Sequence, residues 1–306
     1  MLIAAVSLAL IAGCSSSAGS AKEPALTPLA LPADPMSVSE PLDSYQYSEN
    51  ATKVIRNALY KGISECIAPL GLTLPANNDT AEVRDYKAGR FGLVTDTQAR
   101  STAYTGGVDN SDDLPWELRL RPSKQPLLAQ AVFGHDGKGN TPAAGSGIPP
   151  GGCQQQVSDR VYMGAKDGGE TDLLGQLYDD ANSRTLADSR VKAAFGDWRE
   201  CMAKAGYDYA EPVDAPRDYW SNRAMDENPN PTMEQKHQGI APSAAEVAAA
   251  VADVGCKRST GMLATWIEAD IAYQQQAVEQ NATALQRYRD DQQREVRNAQ
   301  QILAGK

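Results

Sequence analysis

Two cysteine-bearing segments with the same order of residue types constrain this chain most. Glu65-Cys66-Ile67-Ala68-Pro69-Leu70-Gly71-Leu72-Thr73-Leu74 runs Glu, Cys, a large apolar residue, Ala, two spacers, Gly, then apolar residues two apart. Glu200-Cys201-Met202-Ala203-Lys204-Ala205-Gly206-Tyr207-Asp208-Tyr209 repeats that order with aromatics at the end. Each reads as the end of an apolar-faced helix stopped by a glycine. Ahead of the first, Ile55, Leu59, Ile63 and Ile67 recur at helical spacing. Ahead of the second, Leu174, Leu177, Ala181, Val191, Ala194, Phe195, Trp198, Cys201 and Met202 form a stripe with a break near Asp188. The expected fold is mainly α: a disulfide-stapled helical domain built from two related helix-Cys repeats, with a long C-terminal helix and long loops.

The N-terminus reads differently. Leu2 to Ile11 is an uncharged apolar run, too short to span a membrane and of signal-peptide length. It ends in Leu10-Ile11-Ala12-Gly13-Cys14, which resembles a bacterial lipoprotein signal, in which the cysteine receives lipid and becomes the mature N-terminus. No Lys or Arg precedes the run, and an upstream start codon would supply the missing basic residues. After Cys14 come a Ser/Gly-rich stretch and prolines at 24, 28, 32, 35 and 41. These disfavour helix and buried strand, so the segment is expected to be a disordered tether. The expected organisation is therefore 1–14 signal and lipidated cysteine, 15–47 tether, 48–170 first helical and loop repeat, and 171–306 second repeat with the long C-terminal helix.

Finer expectations follow from local pattern. Thr95-Asp96-Thr97-Gln98 is a capping box opening a short helix, and Pro242-Ser243-Ala244-Ala245-Glu246 opens another. Trp116-Glu117-Leu118-Arg119-Leu120 alternates as a strand would, and Leu127 to Phe133 suits a short helix. Gly134 to Gly152 reads as a loop tied down by Cys153. Its His135, Asp136 and Lys138 lack the further ligands a metal needs or a nucleophile at a recognisable spacing. Met262 to Leu303 is one proline-free helical pattern whose polar residues, among them Gln274, Arg287, Arg289 and Arg294, mark a solvated face and a candidate partner surface.

Five cysteines less a lipidated Cys14 leave four, an even number in an oxidising compartment. Three pairings are open. Cys66–Cys153 with Cys201–Cys256 is favoured, because each joins the end of a repeat's leading helix to the next helical element downstream. A four-cysteine zinc site is disfavoured by the lack of any Cys-x-x-Cys pair.

Arg90-Phe91-Gly92, Pro149-Pro150-Gly151-Gly152-Cys153, Trp198-Arg199-Glu200-Cys201-Met202 with Gly206-Tyr207, and Ala252-Asp253-Val254-Gly255-Cys256-Lys257 with Trp266 complete the pattern. Together with the N-terminal signal, they resemble a group of actinobacterial secreted lipoproteins. The resemblance implies envelope location, a helical disulfide-stapled fold and association with envelope transport systems, and it carries over no catalytic residue.

The formal net charge of -10 disfavours a nucleic-acid partner, which needs clustered Lys and Arg. The sequence contains no Gly-rich phosphate loop, His-Glu-x-x-His helix or Gly-x-Ser-x-Gly turn, and only two histidines. The expected function is therefore non-enzymatic and free of cofactors. The protein would be a binding or accessory lipoprotein on the outer face of the bacterial cell membrane, held by lipid on Cys14, with an envelope protein or cell-wall polymer as partner. The alternative is an envelope hydrolase acting on glycan or peptide through two carboxylates. Two lobes of alternating strand and helix, expected of a solute-capturing importer component, are not in the pattern.

Overall fold

The computed structural model describes residues 22–77, 89–104, 116–120, 125–163, 173–219 and 242–306. The expected signal, Cys14 and residues 15–21 lie outside them. The described residues are mainly helical, without strands. The α-helices whose bounds fall among the described residues are α1 (Glu49–Ile67), α2 (Asp96–Ser101), α3 (Trp116–Arg119), α4 (Pro126–Phe133), α5 (Gly152–Val161), α6 (Leu173–Ala187), α7 (Ser189–Lys204), α8 (Ala244–Ser259), α9 (Met262–Gln280) and α10 (Ala282–Leu303).

Polar caps fix where several of them begin. Ser48 accepts from the Ala51 amide, and Thr95 and Gln98 form a reciprocal box. The Asp188 carboxylate accepts from Arg190 N at the α6–α7 break, and Ser243 accepts from Glu246 N. The two cysteine helices end alike, with Gly71 and Gly206 in the left-handed region at φ 71° and 91°. Cys66 bonds Cys153 at the start of α5, and Cys201 bonds Cys256 in the last turn of α8, with Cα separations of 5.9 and 5.6 Å.

Trp116 to Arg119 is helical, where alternation predicted a strand. Trp116 and Leu120 are both buried, and residues four apart share a face in a helix as well as in a strand, so five residues do not separate the two periods. The expected single helix from Met262 to Leu303 bends at Asn281, whose φ of -114° and ψ of 18° leave the helical region. That bend carries the chain from one core to another. Helix α9 packs on α6, α7 and α8, whereas α10 lies along α1 and α5.

The expected boundary near residue 170 does not separate two cores. Ala299 and Ile302 of α10 complete the cluster of α1, α4 and α5, and Phe91 and Val94 join that of α7, α8 and α9.

Residues 22–47 are the larger correction. Expected as a disordered tether, they lie on the body. Leu42 is fully buried with Leu174, Tyr178 and Leu285, while Leu26, Leu29, Leu31 and Met36 pack beside the cluster of Trp266 and Ile267. The Leu29 amide donates to Glu268 at 2.6 Å. Prolines exclude regular helix here but not docking, and Pro35 and Pro41 each open a short 3-10 turn. The leucines between the prolines supply apolar surface that a Pro/Ser-rich composition conceals.

Candidate functional site

Arg90, Phe91, Trp198, Asp253, Lys257 and Trp266, drawn from three of the sequence motifs, converge on two linked polar nodes inside the body. Arg90 stands at the first. Its Nη1 donates to Glu40 Oε2 at 3.2 Å and to the Asp270 carboxylate, and its guanidinium lies over the Tyr178 ring at 4.9 Å. Gln274 Nε2 donates to the same two oxygens at 2.6 and 2.7 Å, and its Oε1 accepts from the Leu42 amide at 3.2 Å. Thr185 Oγ1 reaches Asp270 Oδ1 at 3.4 Å. The side chains of Arg90, Glu40 and Asp270 are only 6%, 1% and 0% exposed, so the charges must satisfy one another. Burial pushes the Asp270 carboxyl above its ordinary range, against the lowering effect of Arg90.

One residue along, Phe91 enters the second node. Lys257 Nζ donates to Phe91 O at 3.1 Å and Leu93 O at 3.0 Å, and pairs with Asp253 Oδ2 at 3.0 Å. Asp253 Oδ1 accepts from Trp198 Nε1 at 2.9 Å. Gly92 has φ 63°, in the left-handed region, and a Cβ there would also sit 3.1 Å from Lys257 Nζ, so a glycine suits the position after Phe91. Trp266 packs edge-on against Phe91 and Phe195, with ring centroids 5.3 and 4.9 Å apart. Its indole N–H is buried and finds no acceptor among the described residues. Arg258, next to Lys257, donates to Val94 O and Ala33 O at 3.0 Å each and thereby ties the N-terminal segment to the end of α8. Beside it an open hollow of about 300 Å³ is walled by Leu31, Pro32, Pro35, Gly261 and Ala264.

Two further contacts join segments distant in sequence. Tyr47 donates to Glu295, joining the entry of α1 to α10; burial raises both groups, and their mutual bond raises Tyr47 and lowers Glu295. Tyr273 donates to Asp188 Oδ2 at 3.1 Å, with burial and that bond pushing its hydroxyl up to about 12.

The structure redistributes the expected partner surface. Gln274 is fully buried in the first node and belongs to no surface. Its position in α9 brings it under the 22–47 segment, a cover that helical periodicity could not foresee. Arg289 is half-buried over the Tyr45 ring at 4.0 Å and donates to Ser44 O at 3.2 Å. Arg294 pairs with Asp291 at 2.7 Å, and Arg287 is exposed. In the 134–152 loop, Asp136 accepts from Lys138 N, Asn140 N and Asn140 Nδ2, and His135 Nδ1 accepts from Gly137 N. These bonds shape the loop itself, and hydrogen bonding holds the Asp136 carboxyl below its ordinary range.

Among the described residues, no group of three or more His, Cys, Asp or Glu has the spacing to hold a metal, and no helix is long and apolar enough to cross a membrane. No protein-family model, curated protein or solved structure matches the chain.

Proposed function

We propose that this chain is an extracytoplasmic lipoprotein of a bacterial cell envelope, anchored by lipid on Cys14 to the outer face of the membrane. There it acts as a non-enzymatic binding or accessory protein for an envelope transport component or a cell-wall polymer. The observation that carries the reading is the pairing of all four cysteines after Cys14 into two long-range disulfides, which suits an oxidising compartment and agrees with the apolar run ending in Leu10-Ile11-Ala12-Gly13-Cys14. The resemblance to actinobacterial secreted lipoproteins points the same way.

The accessory role draws support from how the buried charges are used. Glu40, Arg90, Asp253, Lys257 and Asp270 bind one another, backbone carbonyls and neighbouring amides, so they hold segments together. The candidate surface for a partner is the outer side of α10, where Arg287, Arg297, Gln293 and Gln300 are exposed. Crosslinking in intact envelopes tests this reading. A specific partner should be trapped through α10, and Cys14→Ser should release the protein from membranes. Turnover of purified wall material that vanishes on neutralising one Asp or Glu would replace it with a hydrolase.

A further inference from the structure

We infer that residues 40–47 are a latch across the α9–α10 bend: seated, they fix the angle between the two disulfide-stapled cores, and released, they let the cores hinge about Asn281. Each staple lies within one core. Cys66–Cys153 joins α1 to α5 in the core that α10 completes, and Cys201–Cys256 joins α7 to α8 in the core of α9, so neither disulfide crosses the bend. At the bend, Asn281 leaves helical geometry and its Nδ2 donates to Ala277 O at 2.8 Å. A break at the end of a helix is where a change of angle is absorbed with least disturbance of the elements on either side.

The latch grips both sides of that break. On α9, Gln274 Oε1 accepts from the Leu42 amide and its Nε2 donates to Glu40. On α10, Arg289 donates to Ser44 O at 3.2 Å, Gln292 Nε2 donates to Tyr45 O at 2.9 Å, and Glu295 accepts from Tyr47. A third grip is on α6, where the Tyr178 hydroxyl donates to Asp43 Oδ1 and accepts from Gln46 Nε2, both at 2.8 Å. Between the grips, Leu42 shares one buried cluster with Ala277 of α9, Leu285 of α10 and Leu174 of α6.

The seat is built to separate before the cores do. Of the apolar side chains from 40 to 47, only that of Leu42 is buried. The other ties are polar, and water replaces hydrogen bonds at small net cost once the turn lifts. Each core, by contrast, is a set of helices packed on apolar side chains and closed by a disulfide. An element seated by one apolar side chain opens locally, below the free energy of global unfolding.

The test is amide hydrogen exchange on the full oxidised chain, with spin labels attached through ketone-bearing residues at the exposed Lys53 of α1 and Lys204 of α7, which leaves the cysteines paired. In wild type, amides of residues 42–47 and 277–285 should exchange together, and faster than those of α1 and α7. Leu42→Ala should raise exchange at both stretches about tenfold or more and broaden the distance between the labels, while α1 and α7 stay protected. Tyr47→Phe, which removes one grip and leaves no large cavity, should raise the same exchange by a smaller factor. Exchange of 42–47 without 277–285, or of all four stretches at once, overturns the latch. So does a label distance unmoved by Leu42→Ala, and the wild-type pattern decides even where a variant does not fold.

Discussion

The carboxylates of Glu40 and Asp270 share the same two donors, Nη1 of Arg90 and Nε2 of Gln274. Two buried acids thus face one cation, and they come from segments 230 residues apart in a chain whose N-terminal part was expected to be free. The pair is a poor stabiliser compared with an apolar joint, because desolvating both acids offsets most of the attraction. What the pair does is tie the segment carrying Glu40 to α9 through Arg90 and Gln274.

A pH dependence follows. Burial raises Asp270, so the folded chain holds a proton there more tightly than the unfolded chain. The stability this contributes is complete below the ordinary carboxyl value of about 3.9 and is lost as pH rises through the raised folded value. Asp270→Asn removes the titrating group and keeps a hydrogen-bonding amide. Urea midpoints measured between acid and neutral pH should show wild type falling relative to Asp270→Asn as pH rises. A difference that stays flat would show that burial does not raise the Asp270 carboxyl.

Trp198 and Trp266 are both buried, yet among the described residues only the first has a partner for its indole N–H. Trp198→Phe withdraws a donor from the buried Asp253 and should cost about 1–3 kcal/mol beyond the packing change. Trp266→Phe removes an unpaired donor and should lack that added cost. Denaturant midpoints of the two variants compare them directly, and equal losses would mean that the Trp198–Asp253 bond contributes nothing net.

The disulfides close loops of 87 and 55 residues. In the chain-entropy account each restrains the unfolded state by about 4 to 5 kcal/mol, with measured values commonly 2 to 5. Replacing Cys201 and Cys256 together by alanine should lower stability in that range. Peptides from the unreduced protein should contain Cys66 joined to Cys153 and Cys201 joined to Cys256, and a Cys66–Cys201 peptide would contradict the fold.

Helices with caps and a long apolar stripe were legible in the sequence: Ser243, Thr95 and the break at Asp188 each act locally, so three or four residues carry the signal. The cysteine pairing was legible because the repeat limits which helix ends can meet. The polar nodes were not. Arg90, Glu40 and Asp270 become neighbours only through tertiary docking, and their separate sequence contexts give no hint of a shared site. Gln274 was read as surface for the same reason, since its burial depends on a segment more than two hundred residues away. Leu42 is fully buried, but the prolines around it dominate the local composition and conceal its apolar role.

The Pro-Pro-Gly-Gly-Cys motif has a steric reason that gives the last prediction. Gly152 has φ 79°, and a Cβ built there would lie 2.4 Å from both Gly134 N and Val132 O, atoms of backbone that cannot rotate away. The end of α4 crosses the start of α5 at this point, and the crossing sets Cys153 opposite Cys66. Gly139 is a control: it also has positive φ, at 87°, but its Cβ would meet nothing within 4 Å. Gly139→Ala should therefore cost only the left-handed backbone term, about 1–2 kcal/mol. Gly152→Ala adds the clash and should cost about 2–4 kcal/mol more, through overpacking that must part α4 from α5. It should also slow or misdirect formation of the Cys66–Cys153 bond, seen as free thiol at those two positions in the purified protein. Equal midpoints for the two variants would show that the helices can separate at no cost, and that the crossing does not position the cysteine.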